Sequence, residues 1–193
     1  MTLMNHELTF IQNELKKELD ELRYQHTLGV MYTASAMAMC HGADLTQALT
    51  AGLLHDCAKC IPADEKIRMC KEHEIPVTDI EYANPGLLHA KLGAYLAEEK
   101  YGILDPVILD AIRYHTTGRP EMTLMDKIIY ISDYMEPGRK ELPNMNDVRY
   151  LAFHDIDACL YRILHDSLGY LNSTGKPLDP MTAETCQYYE NKR

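Results

Sequence analysis

The sequence predicts a single all-α domain spanning its 193 residues. Apolar residues recur at spacings of three and four along most of the chain, which is the period of one face of an α-helix. Aspartates, prolines and glycines of the kinds found at helix ends separate these periodic segments. The chain has no stretch of sustained apolar and polar alternation, as a half-buried strand would require. Its length suits one compact core.

Four helices are predicted in the first half of the chain. A stripe of apolar residues marks the first, which we expect to pack on the domain as an N-terminal helix of about residues 7–22. The second is apolar enough to lie in the core. Asp44 is an N-cap for the third, which runs to an adjacent His-Asp pair, and Pro62 opens the fourth. Their expected ranges are 8–22, 24–40, 44–56 and 62–73.

Five helices are predicted in the second half, again from their boundary residues. Gly102 is a natural stop for the first of them. Asp105 and Pro106 have the form of an N-cap followed by a first-turn proline. The expected ranges are 87–102, 105–118, 124–135, one long helix over 147–171, and a last helix from 179 onward. The two irregular segments, 137–146 and 172–179, follow helices directly, where loops commonly carry function.

The composition limits the possible classes of protein. Hydrophobic residues make up 46% and charged residues 25%, and no apolar run approaches the roughly 20 residues of a membrane span. The N-terminal residues carry charges throughout, unlike a secretory signal, and the six scattered cysteines are expected to be reduced thiols. We therefore expect a cytoplasmic protein that does not cross a membrane. Its oligomeric state is left open, with a homodimer as one alternative.

The net charge of −10 argues against nucleic acid as a partner, because nucleic-acid binders need clustered lysines and arginines. An anionic small molecule remains a suitable partner if some local feature reverses the sign of the charge.

Six polar residues interrupt the apolar helices. Each sits in a core-like segment, where an unpartnered polar group costs on the order of a few kcal/mol. Any one alone is adequately explained as a satisfied core residue, but six on five helices favour a shared metal centre, since imidazole nitrogens and carboxylate oxygens are ligands for divalent ions of the first transition row. The six are His26, His55, Asp56, His89, His115 and Asp133.

This number of ligands predicts two ions rather than one. Four histidines and two aspartates exceed what one ion with an open position usually takes, and Asp56 has two oxygens with which to bridge two ions. Two-metal hydrolases hold their ions roughly 3.5 to 4 Å apart. Two divalent ions and two carboxylates together carry a charge of about +2. That is the local reversal of sign that an acidic protein needs to hold a phosphate substrate.

The motifs around these residues resemble those of a known family. A His, a His-Asp pair and a distant Asp, all on helices, resemble the HD superfamily of metal-dependent phosphohydrolases. Four longer motifs resemble the YqeK family of symmetrical bis(5'-nucleosyl)-tetraphosphatases within it: "AGLLHDCAK", "PGLLHAKLGA", "AIRYHTTG" and "DKIIYISDYMEPGR". The resemblance implies an HD-domain helical bundle over residues 1–193, an iron-containing centre and cleavage of diadenosine tetraphosphate to two ADP. It also implies that the six residues above are the metal ligands.

Further residues near these motifs are candidates for binding phosphate or ribose. Arg23 lies three residues before a ligand and Lys59 four residues after one, so each shares a helical face with a ligand. Each candidate has a plainer interpretation, such as a surface ion pair for Arg23 or a helix stop for the residues that follow His115. The expected substrate-binding set is Arg23, His26, Lys59, Thr116, Thr117, Gly118, Arg139 and Lys176. Asp56 and Lys59 are the expected catalytic residues.

The predicted chemistry is metal-assisted hydrolysis of a phosphoanhydride. Metal ions can supply hydroxide near neutral pH, so no side-chain base is required. Mixed nitrogen and oxygen ligands suit iron, manganese or another mid-row ion, and only the resemblance selects iron. Two alternatives stay open at this point. One is a different HD-type nucleotide phosphohydrolase, a nucleotidase or alarmone hydrolase, with a single ion that lacks His89 and His115. The other is a di-iron oxygenase.

Overall fold

A computed structural model describes residues 2–175 and 178–192, with side chains described from residue 7 onward. These residues form α-helices and one short 3-10 helix, Pro85–Leu87, with no strand among them. The all-α prediction is therefore confirmed. None of the helices described is long and apolar enough to cross a membrane. The α-helices are α1 Thr2–Glu18, α2 Glu21–His41, α3 Leu45–Leu54, α4 Ala63–Glu72, α5 Asp79–Ala83, α6 Leu88–Glu99, α7 Pro106–Tyr114, α8 Leu124–Met135, α9 Met145–His154, α10 Ile156–Ser173 and α11 Pro180–Glu190.

Aspartate caps mark the starts of several helices, as the sequence predicts. The side chain of each capping aspartate accepts a hydrogen bond from a backbone N–H in the first turn, which satisfies a donor that the helix itself leaves unpaired. The pairs are Asp44 with Gln47, Asp105 with Val107 and Asp179 with Met181. Asp20 caps α2 in the same way. The prediction that the first helix reaches residue 22 is therefore wrong, because α1 ends at Glu18 and the residues after Asp20 begin α2.

The predicted long helix over 147–171 is also wrong. Asp155 has extended backbone angles, φ −151° and ψ 91°, so it ends α9. Its side chain accepts a hydrogen bond from the Ala158 N–H at 2.9 Å and so begins α10. Helix α5 and the 3-10 helix after it, both short, were not predicted.

Helix α2 packs against α3 and α8, while α7 packs against α3, α6 and α8. A Cβ atom on Gly52 of α3 would lie 2.8 Å from the Met31 Cα, so glycine there allows α3 to approach α2 closely. Helix α1 buries Ile11 and Leu15 in the same core. The largest fully buried side chains are Leu15, Met37, Leu53, Leu54, Leu88, Leu92, Ile112, Ile128, Ile129, Ile131, Met145 and Leu160.

This packing brings several helix ends to one place beside the N-terminal part of α2. His55 directly follows α3 and His115 directly follows α7. His89 is the second residue of α6, and Asp133 lies in the last turn of α8. His26 alone comes from a helix interior.

The break between α9 and α10 can be tested through its cap. We expect Asp155→Ala to lower the free energy of unfolding by about 1 kcal/mol, since the Ala158 N–H loses its acceptor. Asp155→Asn is the matched control, because an asparagine side chain caps a helix about as well. Urea unfolding followed by circular dichroism measures both. Equal losses in the two variants would show that the cap contributes nothing.

Candidate metal centre

Hydrogen bonds fix the ring orientation of the four clustered histidines. Three of them donate the Nδ1–H to the backbone carbonyl oxygen three residues earlier: His55 to Gly52 at 2.7 Å, His89 to Gly86 at 2.5 Å and His115 to Ile112 at 2.7 Å. The fourth, His26, donates its Nδ1–H to the Glu136 carboxylate at 2.9 Å. A neutral imidazole carries one proton, so each Nε2 is left with a free lone pair. Fixing a histidine in this way is typical of metal ligands.

Asp56 lies between two groups of these nitrogens. Its Oδ1 is 3.2 Å from the His89 Nε2 and 3.6 Å from the His115 Nε2. Its Oδ2 is 3.5 Å from the His55 Nε2 and 3.8 Å from the His26 Nε2. Each oxygen of one carboxylate therefore faces its own pair of imidazoles, and the same two groups are close enough to hold a metal ion each.

Asp133 adds a second carboxylate to one of these groups. Its Oδ1 is 3.0 Å from the His26 Nε2 and 3.7 Å from the His55 Nε2. One group therefore offers two imidazoles and two carboxylates. The other, around His89 and His115, offers two imidazoles and the shared Asp56.

The donor atoms fit divalent cations. The Nε2 atoms of His26 and His55 and the Oδ1 of Asp56 are buried with no hydrogen-bond partner among the described residues. The Nε2 atoms of His89 and His115 lie 3.1 Å apart, although both rings use their only proton elsewhere. Buried acceptors that face one another are unfavourable unless a cation lies among them. The nitrogen and oxygen donors match mid-row divalent ions.

The surroundings keep the ligands in the forms that bind metal. Burial alone would raise the pKa of Asp56, but interactions with His55, His115 and His89 outweigh it and hold this pKa well below its ordinary value. Burial likewise opposes the lowered pKa of Asp133, which results from His26, His55 and Arg139. Burial is the main cause that lowers the pKa of His89, to about 4. Both carboxylates are therefore ionised and His89 is neutral at neutral pH.

Three predicted cationic residues lie next to the ligands. The Arg23 Nη1 is 2.6 Å from the Asp56 Oδ2, and Arg139 binds the Asp133 carboxylate. The Lys59 Nζ is 3.1 Å from the His89 Nε2.

The threonines and glycine after His115 differ in their positions. The Thr116 hydroxyl lies 3.3 Å from the Nε2 atoms of both His89 and His115. The Thr117 hydroxyl donates to the Gly118 carbonyl at 3.0 Å. Gly118 has a positive φ of 67°, and a Cβ atom there would lie 2.8 Å from the Thr185 Cγ2. The structure therefore brings Thr116 beside His89 and His115, whereas Gly118 packs closely against Thr185 of α11.

Of the predicted site residues, Lys176 lies outside the described residues. In the other direction, the sequence reasoning missed Glu136, which accepts the His26 Nδ1–H. The available signal was a carboxylate within the "SDYMEPGR" motif, three residues after the ligand Asp133.

The family model for the HD domain matches residues 23–138, which include all six ligand candidates. The chain belongs to the HD domain family. A crystal structure of another protein is similar to almost the whole chain. That protein is a "predicted HD superfamily hydrolase involved in NAD metabolism" from Clostridium acetobutylicum. It has a TM-score of 0.92 and 38% sequence identity, over 96% of this chain and 97% of that one.

Two curated relatives of this HD domain protein are named symmetrical bis(5'-nucleosyl)-tetraphosphatase. The relative from Bacillus subtilis (strain 168) is 42% identical over 168 residues, which cover 87% of this chain and 89% of the relative. The relative from Halalkalibacterium halodurans is 40% identical over 171 residues, which cover 89% of this chain and 90% of the relative. The likeness thus extends well beyond the residues that the domain model matches.

The lowered pKa of His89 gives the metal-free HD domain protein a pH-dependent stability. The pKa of this residue is 6.5 in its ordinary state and about 4 in the folded chain. At a pH between these two values the unfolded chain holds a proton on His89 and the folded chain does not, so the free energy of unfolding falls as the pH falls. We expect a loss of about 2 to 3 kcal/mol from about pH 7 to about pH 4.5. Urea unfolding in the presence of a chelator measures it.

His89→Gln is the control for this loss, since it removes the titrating group. We expect a flatter dependence in the variant over the same pH range. The carboxylates Asp56 and Asp133 have lowered pKa values, so the stability they contribute is lost only when the pH falls below 3.8, their ordinary pKa. The same slope in the wild type and the variant would contradict the assignment to His89.

Proposed function

We propose that this chain hydrolyses diadenosine tetraphosphate symmetrically, giving two ADP, with the help of two divalent metal ions. The observation that carries the proposal is the position of Asp56, whose two oxygens face two separate histidine pairs. Paired ions about a shared carboxylate are suited to phosphoryl-group hydrolysis. The names of the two curated relatives support the choice of substrate.

The two groups of ligands would each hold one ion. His26, His55, Asp56 and Asp133 would hold the first, and Asp56, His89 and His115 the second. When bound, divalent ions lower the pKa of water and polarise phosphoryl oxygens. We propose iron as the metal, although the same mixed donor set also suits manganese.

The cationic side chains would bind the phosphates and offset the charge on the leaving ADP. The Asp56 side chain is only 2% exposed, whereas those of Arg23, Lys59 and Arg139 are 26%, 35% and 38% exposed. The ligands therefore form the floor of the site and the cations its rim. A polyphosphate that approaches from solvent would meet these positive charges before it reaches the buried ligands. Preorganised charges of this kind stabilise charge that develops during the reaction.

Two local features would support phosphate binding beside the second group of ligands. The buried Lys66 ammonium donates to the carbonyl oxygens of Lys59 at 3.0 Å and Ile61 at 2.7 Å, which holds the turn that carries Lys59. The Thr116 hydroxyl, beside His89 and His115, can donate to a phosphoryl oxygen.

The number of phosphate-binding candidates favours cleavage at the central bond. Arg23, Lys59, Thr116 and Arg139 all adjoin the ligands, which is more than one phosphate requires. A pocket that holds one nucleoside with its first two phosphates would place the ligands at the middle of the three phosphoanhydride bonds. Holding the chain in that register selects the bond that is cut. The single-ion alternative is disfavoured because both His89 and His115 reach Asp56.

Product analysis tests the position of the cut. We expect the purified protein, given ferrous iron under anaerobic conditions, to convert diadenosine tetraphosphate to ADP alone. In water labelled with heavy oxygen, the label is expected on the β-phosphate of ADP. Chromatography and mass spectrometry of the initial products measure both. Turnover without oxygen also separates hydrolysis from oxygenase chemistry.

The control is the Asp56→Asn variant purified in the same way, which should be inactive because an amide cannot bridge two ions as a carboxylate does. Residual activity at the wild-type level would reveal a contaminating enzyme. AMP and ATP in equal amounts as first products would show that the substrate binds one phosphate out of the proposed register.

A further inference from the structure

His26 differs from the other three histidines in its support. His55, His89 and His115 lie at or beside helix ends and donate to backbone carbonyls three residues earlier. His26 lies inside α2, and its Nδ1–H has a side-chain partner from a distant part of the chain instead of a carbonyl of its own helix.

Glu136 provides that side chain and is itself fixed at both oxygens. Its Oε1 accepts the His26 Nδ1–H at 2.9 Å, and its Oε2 accepts the Gly138 N–H at 2.5 Å. The residue is buried and directly follows α8, three positions after Asp133. One chain segment thus supplies both a ligand and the support for a second ligand on α2.

Two glycines leave the space that this carboxylate occupies. A Cβ atom on Gly29, three residues after His26, would lie 2.4 Å from the Glu136 Oε2 and 3.1 Å from its Cδ. A Cβ atom on Gly138 would lie 3.0 Å from the same Oε2. Because the contact at Gly29 is impossibly short, any larger residue there must displace the carboxylate.

We propose that Glu136 is a positioning residue that fixes the ring and tautomer of His26 for the first ion, and that Gly29 is required to make room for it. A carboxylate on Nδ1 keeps the proton there, directs the Nε2 lone pair towards the site and makes the ligand more basic. The second ion would share Asp56 with the first but would not use His26, so its binding depends less on this contact. The inference rests on the two-ion site proposed above.

Binding of cobalt(II) to metal-stripped protein tests the inference without measuring turnover. Cobalt(II) absorbs visible light according to its ligands, so competition with a chelator gives the affinity for each ion and the spectrum reports its geometry. We expect Glu136→Ala to lower the affinity for one ion by about 10- to 100-fold, as removal of the hydrogen-bond partner of a ligand histidine usually does. The affinity for the other ion should stay within about threefold of that of the wild type.

Glu136→Gln should have an intermediate effect, because an amide offers one acceptor oxygen where the carboxylate offers two. The matched control is Glu81→Gln. Glu81 is equally buried, accepts the Thr78 N–H at 2.8 Å and pairs with Lys91, and these contacts include none of the six proposed ligands. We expect this control to bind both ions as the wild type does.

Gly29→Ala is an independent variant that leaves Glu136 in the sequence. Alanine ordinarily favours a helix over glycine, so a loss of affinity for one ion here cannot come from a weaker helix. Gly169→Ala is the control, since a Cβ atom on that helical glycine meets nothing within 4 Å. The double variant with Glu136→Ala should lose little more than Glu136→Ala alone, because both changes remove one contact.

The outcomes separate the inference from the proposed site. A wild type that binds fewer than two cobalt ions would overturn the two-ion site. If the wild type binds two ions, unchanged affinities in Glu136→Ala would overturn the role of Glu136, and unchanged affinities in Gly29→Ala would overturn the requirement for Gly29. Equal weakening of both ions would do the same, since it would indicate a general loss of structure. If Glu136→Ala fails to fold, Gly29→Ala and Glu136→Gln still decide the question.

Discussion

The buried carboxylate of Asp56 is the constraint on which the rest of the site depends. Its two oxygens face different pairs of imidazoles, so four helices that carry these histidines must all end or pass within reach of one side chain. Asp44 and Asp105 cap the starts of α3 and α7, the two helices that lead directly to His55 and His115. The close approach at Gly52 brings α3, and with it the His55–Asp56 pair, against α2. The packing of the helices therefore determines the geometry of the proposed ligands.

This arrangement links metal binding to stability. Buried acceptor atoms without partners cost on the order of 1 to 3 kcal/mol each, and the site contains at least three of them, on His26, His55 and Asp56. A bound cation satisfies these atoms, so part of its binding free energy becomes free energy of folding. The two proposed ions would also reverse the sign of the local charge in a protein whose net charge is −10. The exposed ends of Arg23, Lys59 and Arg139 then extend the positive charge from the floor of the site to its rim.

Local sequence signals predicted most of the fold, and long-range contacts account for what they missed. Caps such as Asp44 and Asp105 act within three residues, so they are readable from sequence. The break at Asp155 was missed because apolar periodicity continues on both sides of it and an aspartate is common on an exposed helix face. The six ligand candidates are readable from the sequence because polar residues in apolar helices stand out, and the structure brings all six together. Glu136 is not readable from the sequence, since its partner His26 lies 110 positions earlier and only the packing of α8 on α2 reveals the contact.

The most direct test of the account is to locate the ions relative to Asp56. Crystals of the metal-stripped protein soaked in manganese(II) would be measured at a wavelength where manganese scatters anomalously. The account predicts two peaks, about 3.5 to 4 Å apart, with one bound by each oxygen of the Asp56 carboxylate. A single peak, or two peaks of which one lies away from His89 and His115, would contradict it.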